Sequence, residues 1–160
     1  MSATPQRPAF LTVLCFITFM SAVSGLWSQS ERLWSPDVTA DNTRQTFEEL
    51  RETLEKQSYN ADTKTMETMF DAVISQTTAR SMTASSIIML IFESISLYAA
   101  YLMWNLQKKG FYLYMAGIGV AFFAPMIFIG SWLGVITAMA AIFMSILMLI
   151  LYAFNLKYME

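Results

Sequence analysis

Glu93 is the residue whose setting alone points to chemistry. It lies near the middle of Ser85–Trp104, and no other acidic residue falls inside an apolar run. About 20 apolar residues at helical rise cover the ~30 Å hydrocarbon core of a bilayer, so this run predicts a transmembrane helix with Glu93 close to the midplane. A charged carboxylate at that depth costs at least ~2.5 kcal/mol. No apolar run carries a lysine, arginine or histidine to compensate it, so desolvation favours the neutral acid. Ser86, Met89, Ser96 and Ala100 share roughly its face, which points Glu93 into a helix bundle or at a partner. A neutral acid there can donate to a carbonyl or bond to the hydroxyls of Thr18, Ser21, Ser24 or Thr137. Three uses stay open: a structural bond between helices, a proton or ion site in an oligomer or transporter, and pairing with a basic residue of another subunit.

Other chemistry is thinly supplied. Histidine is absent, and with it the commonest general base and transition-metal ligand. The single cysteine, Cys15, excludes an intrachain disulfide and a cysteine-based zinc site. It reads as a small hydrophobe within its apolar run. Glu48, Glu49, Glu52 and Glu55 are interleaved with Arg51 and Lys56, the pattern of a solvated charged helix. Met66 and Met69, with Phe70 and Val73, form an apolar stripe that fits hairpin packing or a docking surface. No nucleophile–base pair, phosphate-cradling loop or metal-ligand spacing is present, so no enzyme and no cofactor are expected. A formal charge of −2 without a basic stripe excludes nucleic acid as a partner.

The elements that position these residues are long apolar runs. Hydrophobic residues make up 56% of the chain and charged ones 14%, which marks a membrane protein. The first run is Pro8–Trp27, with Pro5 and Pro8 where a helix begins. Arg7 and Ala22-Val23-Ser24 would also suit a cleaved signal peptide, but the run is long enough to span and is read as a retained anchor. The third run is Phe111–Ile129, with Pro125 near its end. The fourth is Trp132–Asn155, after a turn at Gly130-Ser131. Between the first and second runs the chain is polar and net acidic. Ser35-Pro36-Asp37 predicts a helix start, and Phe47, Leu50 and Leu54 recur at helical spacing. Ser58-Tyr59-Asn60 breaks the pattern, and Asn60 or Asp62 could cap a second amphipathic helix bearing the Met66, Met69, Phe70, Val73 and Ile74 stripe. That helix could continue through Gln76–Ser81 into the membrane as one rod.

The expected fold is therefore all-α and polytopic. Four transmembrane helices carry an extracytoplasmic amphipathic helical hairpin between helices 1 and 2. Residues 1–28 are the tail and first span, 29–81 the hairpin, and 82–160 the remaining spans with a short tail. Lys108 and Lys109 in a short loop, with Arg7 and Lys157 beside their spans, place both termini in the cytoplasm. Tyr98, Tyr101, Trp104, Tyr112, Tyr114, Tyr152 and Tyr158 would then line the inner interface, and Trp27, Trp34 and Trp132 the outer one. Small residues suggest close helix approach: Thr18, Ser21 and Gly25 on the first span, Gly117, Ala121 and Ala124 on the third, and Gly130, Gly134, Ala138, Ala141 and Ser145 on the fourth.

Pro8-Ala9-Phe10-Leu11-Thr12-Val13-Leu14-Cys15, Lys108-Lys109-Gly110-Phe111-Tyr112-Leu113-Tyr114 and Tyr152-Ala153-Phe154-Asn155-Leu156-Lys157 resemble the span ends of a group of small four-span bacterial membrane proteins. The resemblance implies the four-span fold and a bacterial inner-membrane setting, and no particular activity. The topology is also similar to that of claudins, whose paired loop cysteines this chain lacks. The expected partners are the bilayer and other membrane subunits, or self-association. The leading expectation is an accessory or scaffold subunit; the alternative is a small oligomeric channel or proton-coupled transporter centred on Glu93.

Overall fold

The structure is a computed structural model that describes residues 7–57 and 63–160. Among these residues lie six α-helices: α1 Ala9–Trp34, α2 Pro36–Gln57, α3 Thr63–Gln76, α4 Ala79–Trp104, α5 Lys108–Phe128 and α6 Ser131–Ala153. A single 3-10 turn, Leu156–Tyr158, follows. Helices α1, α4, α5 and α6 are long and apolar enough to cross a membrane, so the chain is an all-α, multi-pass membrane protein. They pack in a row, α1 on α4, α4 on α5, α5 on α6, and α6 meets α1 only sparsely.

The first helix does not stop at Trp27, where its apolar run ends. It continues to Trp34, and its 26 residues are ~39 Å long, more than a ~30 Å hydrocarbon core. A side-chain ladder supports the extension, with the Trp27 indole N–H donating to Glu31 and the Ser30 hydroxyl to the Leu26 carbonyl. Pro36 then opens α2 as its first residue, where a missing N–H costs nothing.

Helices α2 and α3 form the hairpin. The Phe47 and Phe70 rings meet edge-on at 6.3 Å, and Arg51 Nη1 lies 2.8 Å from Asp71 Oδ1. Phe70 and Val73 are buried, so the methionine-bearing stripe is used inside the protein, and Met66 and Met69 are only half-buried. Val73 joins Ala40, Met82 and Leu133 in a small core, which docks the hairpin on the bundle end where α4 and α6 begin. The predicted caps Asn60 and Asp62 lie outside the described residues, as does Pro5.

Helices α3 and α4 are not one rod. The break falls at Thr77-Thr78, and a capping box restarts the helix. The Thr78 hydroxyl accepts from the Ser81 N–H at 3.2 Å, and the Ser81 hydroxyl accepts from the Thr78 N–H at 2.9 Å. Ser81 Oγ also donates to the Gln76 carbonyl, tying the two helices together at the bend.

At the other end of the bundle, α4 closes with Leu106 in the left-handed region (φ 61°). The Gln107 N–H bonds to the Leu102 carbonyl and the Leu106 N–H to the Met103 carbonyl, the pairing of a Schellman cap. The Glu160 N–H then donates to the Leu106 carbonyl at 2.7 Å, and the Lys108 N–H to the Glu160 carbonyl at 2.8 Å. Arg7 stacks 4.0 Å over the Trp104 ring. The N-terminal end of α1, the α4–α5 link and the final residues thus share one end of the bundle.

Glycines set the closest approaches. A Cβ on Gly134 would stand 2.6 Å from the Pro125 carbonyl oxygen, so α6 crosses α5 backbone to backbone there. Gly117 receives Ile95 and Phe92 of α4. Gly110, in the first turn of α5, receives the Ala99 carbonyl and Met103. Ala138 is fully buried on α6. Gly130 turns the chain between α5 and α6 at φ 68°, with open space where a Cβ would stand.

Candidate functional site

Glu93 lines a cavity of about 290 Å³ to which all four spans contribute. Its side chain rests on Gly25 of α1, where a Cβ would overlap the carboxyl group and Cγ. Gly25 is thus the residue that lets α1 and α4 approach with a glutamate between them. Around the carboxyl, α1 contributes Ile17, Thr18, Ser21 and Ala22, α4 contributes Met89, Phe92 and Ser96, α5 contributes Tyr114, and α6 contributes Met144, Ser145 and Met148. The lining is mostly apolar, with hydroxyls spaced around one acid.

Glu93 makes no hydrogen bond or ion pair with the described residues. No lysine or arginine occurs from Ser81 to Gln107 or from Gly110 to Leu156, and α1 carries only Arg32, in its last turn. The hydroxyls expected to answer Glu93 are engaged or turned elsewhere. Thr18 Oγ1 is 2.7 Å from Tyr152 Oη, Thr137 bonds the Leu133 carbonyl, and Ser24 is exposed. Of those four hydroxyls, Ser21, exposed on α1, lines the cavity without a bond of its own among the described residues. Ser96 is 3% exposed, and its hydroxyl has no hydrogen-bond partner there. Ser86 is buried two turns away and does not line the cavity.

Tyr114 and Tyr152 correct the expected interfacial belt. Both are buried in the bundle, their rings 5.6 Å apart and edge-to-face, while Tyr98, Tyr101, Tyr112 and Tyr158 remain exposed. The spacing held a signal. Tyr112 and Tyr114 are about 200° apart on a helix, so both cannot face lipid. Cys15 is buried beside Tyr152, as a small hydrophobe would be.

The cavity is partly open, and of the neighbouring spans that line it α1 and α6 meet only sparsely. The Thr18–Tyr152 hydrogen bond joins α1 to α6, with Cys15 of α1 also against the Tyr152 hydroxyl. The cavity's exposed lining residues on these two helices include small or flexible ones: Ser21 on α1, and Ala140 and Met144 on α6. No protein-family profile, curated protein or solved structure matches this chain.

Proposed function

We propose that this is a non-enzymatic interaction protein of the bacterial inner membrane, an accessory or scaffold subunit that meets its partner through the Glu93 cleft. One observation carries the reading: a carboxyl group on an apolar span, with no ion-pair partner among the described residues, lines a cavity whose α1 and α6 walls meet only sparsely. Acyl chains cannot satisfy that carboxyl or the Ser21 hydroxyl, whereas a neighbouring helix can. The proposed orientation has both termini in the cytoplasm and the α2–α3 hairpin outside. It is supported by Arg7, Lys108, Lys109 and Lys157 at one end of the bundle. The test is to extract the tagged protein at native levels in mild detergent, weigh the particle and identify co-purifying chains. A stoichiometric membrane partner supports the reading; a homogeneous particle of this chain alone sinks it.

The hydroxyl-studded cavity favours a second reading, a small oligomeric channel or proton-coupled transporter using Glu93. Flux into liposomes that Glu93→Gln abolishes, with the particle mass unchanged, would establish it over the first.

A further inference from the structure

We infer that the α1–α6 cleft receives a transmembrane helix of another protein that carries a lysine or arginine at mid-bilayer depth, with its cationic group against Glu93 and Ser96. This rests on the subunit reading above and names the chemistry of the partner.

Charge complementarity fixes the occupant. Glu93 is the one acidic group between Arg80 and Glu160, and the spans supply it with no cation. A second copy of the chain has the same spans, so it cannot supply one either. A lipid ammonium group stays in the headgroup layer, and Glu93 stands ~16 Å along α4 from Trp104 and ~21 Å from Ala79. The cation must therefore come from a helix that crosses the bilayer. Size agrees: about 290 Å³ is at or below the ~300–1,000 Å³ of small-molecule pockets, which suits one long side chain better than a larger ligand.

The buried hydroxyl of Ser96 is the second observation. It faces the same cavity with no hydrogen-bond partner among the described residues, and an ammonium or guanidinium group has donors to spare after meeting a carboxylate. The small rims at Ser21 and Ala140 let a helix backbone come close enough for its side chain to reach the floor.

The test uses the full chain in phosphatidylcholine vesicles, with three synthetic transmembrane peptides as probes. Each is a leucine–alanine helix, differing only in a central lysine, leucine or glutamate. Association is read by energy transfer between labelled protein and labelled peptide. The lysine peptide is expected to bind about tenfold more tightly than the leucine peptide, a preference that Glu93→Gln removes. Ala140→Phe, which fills the cleft mouth from an exposed position, is expected to remove it as well. Equal binding of lysine and leucine peptides, or a lysine preference that survives Glu93→Gln, overturns the inference. So does displacement of the lysine peptide by free decylammonium at matching concentration, which would show that the site reads an amine and not a helix. A stoichiometric native partner without any lysine preference leaves the subunit reading standing and sinks this one. A lysine preference in a protein that purifies alone does the reverse.

Discussion

Thr18 and Tyr152 are 134 residues apart in the chain, and their hydroxyl oxygens are 2.7 Å apart. Their bond ties α1 to α6, two helices that otherwise meet only sparsely. Tyr152→Phe removes it and leaves the buried Thr18 hydroxyl unanswered. Interhelical bonds of this kind contribute ~0.6 kcal/mol on average and up to ~1.7. We expect a loss of about 1 kcal/mol in reversible unfolding in mixed micelles. Thr18→Val combined with Tyr152→Phe is expected to cost less than the two single changes added together. Strict additivity would show that the two groups do not bond.

Gly25 and Glu93 occupy one space. Gly25→Ala is expected to cost ~1–3 kcal/mol, because its methyl group enters the volume of the glutamate side chain. The cost is expected to persist in a Glu93→Gln background, which keeps that volume, and to fall below ~0.5 kcal/mol in Glu93→Ala, which vacates it. The same unfolding measurement reads all three. An unchanged cost in Glu93→Ala would place the glutamate elsewhere.

Two further glycines make a controlled pair. A Cβ on Gly134 meets the Pro125 backbone, which cannot move aside without shifting α5, whereas nothing lies within 4 Å of one on Gly119. Gly134→Ala is expected to destabilise by ~2 kcal/mol or more. Gly119→Ala is expected to be neutral or stabilising by up to ~1 kcal/mol, the helical advantage of alanine. Equal effects would count against the close crossing of α5 and α6.

The bend at Thr78 is held by its capping box. Thr78→Ala is expected to cost ~1 kcal/mol and to speed amide exchange at Ser81 and Met82. Thr83→Ala, whose hydroxyl only bonds back to the Ala79 carbonyl, is the control and leaves those amides protected. Undiminished protection in Thr78→Ala would mean that packing of Met82, and not the cap, sets the bend.

The spans were legible in the sequence because length and continuous apolarity decide them. What lies between them was legible only where polar residues sit at fixed offsets, as Ser35-Pro36 before α2. The restart at α4 is written in the same language, a threonine followed three residues later by a serine with reciprocal bonding. It was masked by a helical pattern running through it on both sides. The meeting of Gly25 and Glu93 was not legible at all. Helices α4 and α5 carry little polar–apolar asymmetry around their axes, so the pattern that shows which side of a soluble helix is buried is absent. The rotation of each span about its own axis, which decides whether Tyr112 or Tyr114 enters the bundle, then depends on contacts with other spans.

The pairing of Glu160 with Leu106 and Lys108 makes the second half of the molecule a closed circuit: α4, the link, α5, α6 and back to the link. During synthesis that circuit has an order. The Leu106 carbonyl and Lys108 N–H emerge before α5 and α6 have been made, and they wait for residues that follow the last span. A nascent chain with three spans inserted therefore holds an unfinished link. Arrival of the final residues converts a string of inserted helices into a latched unit.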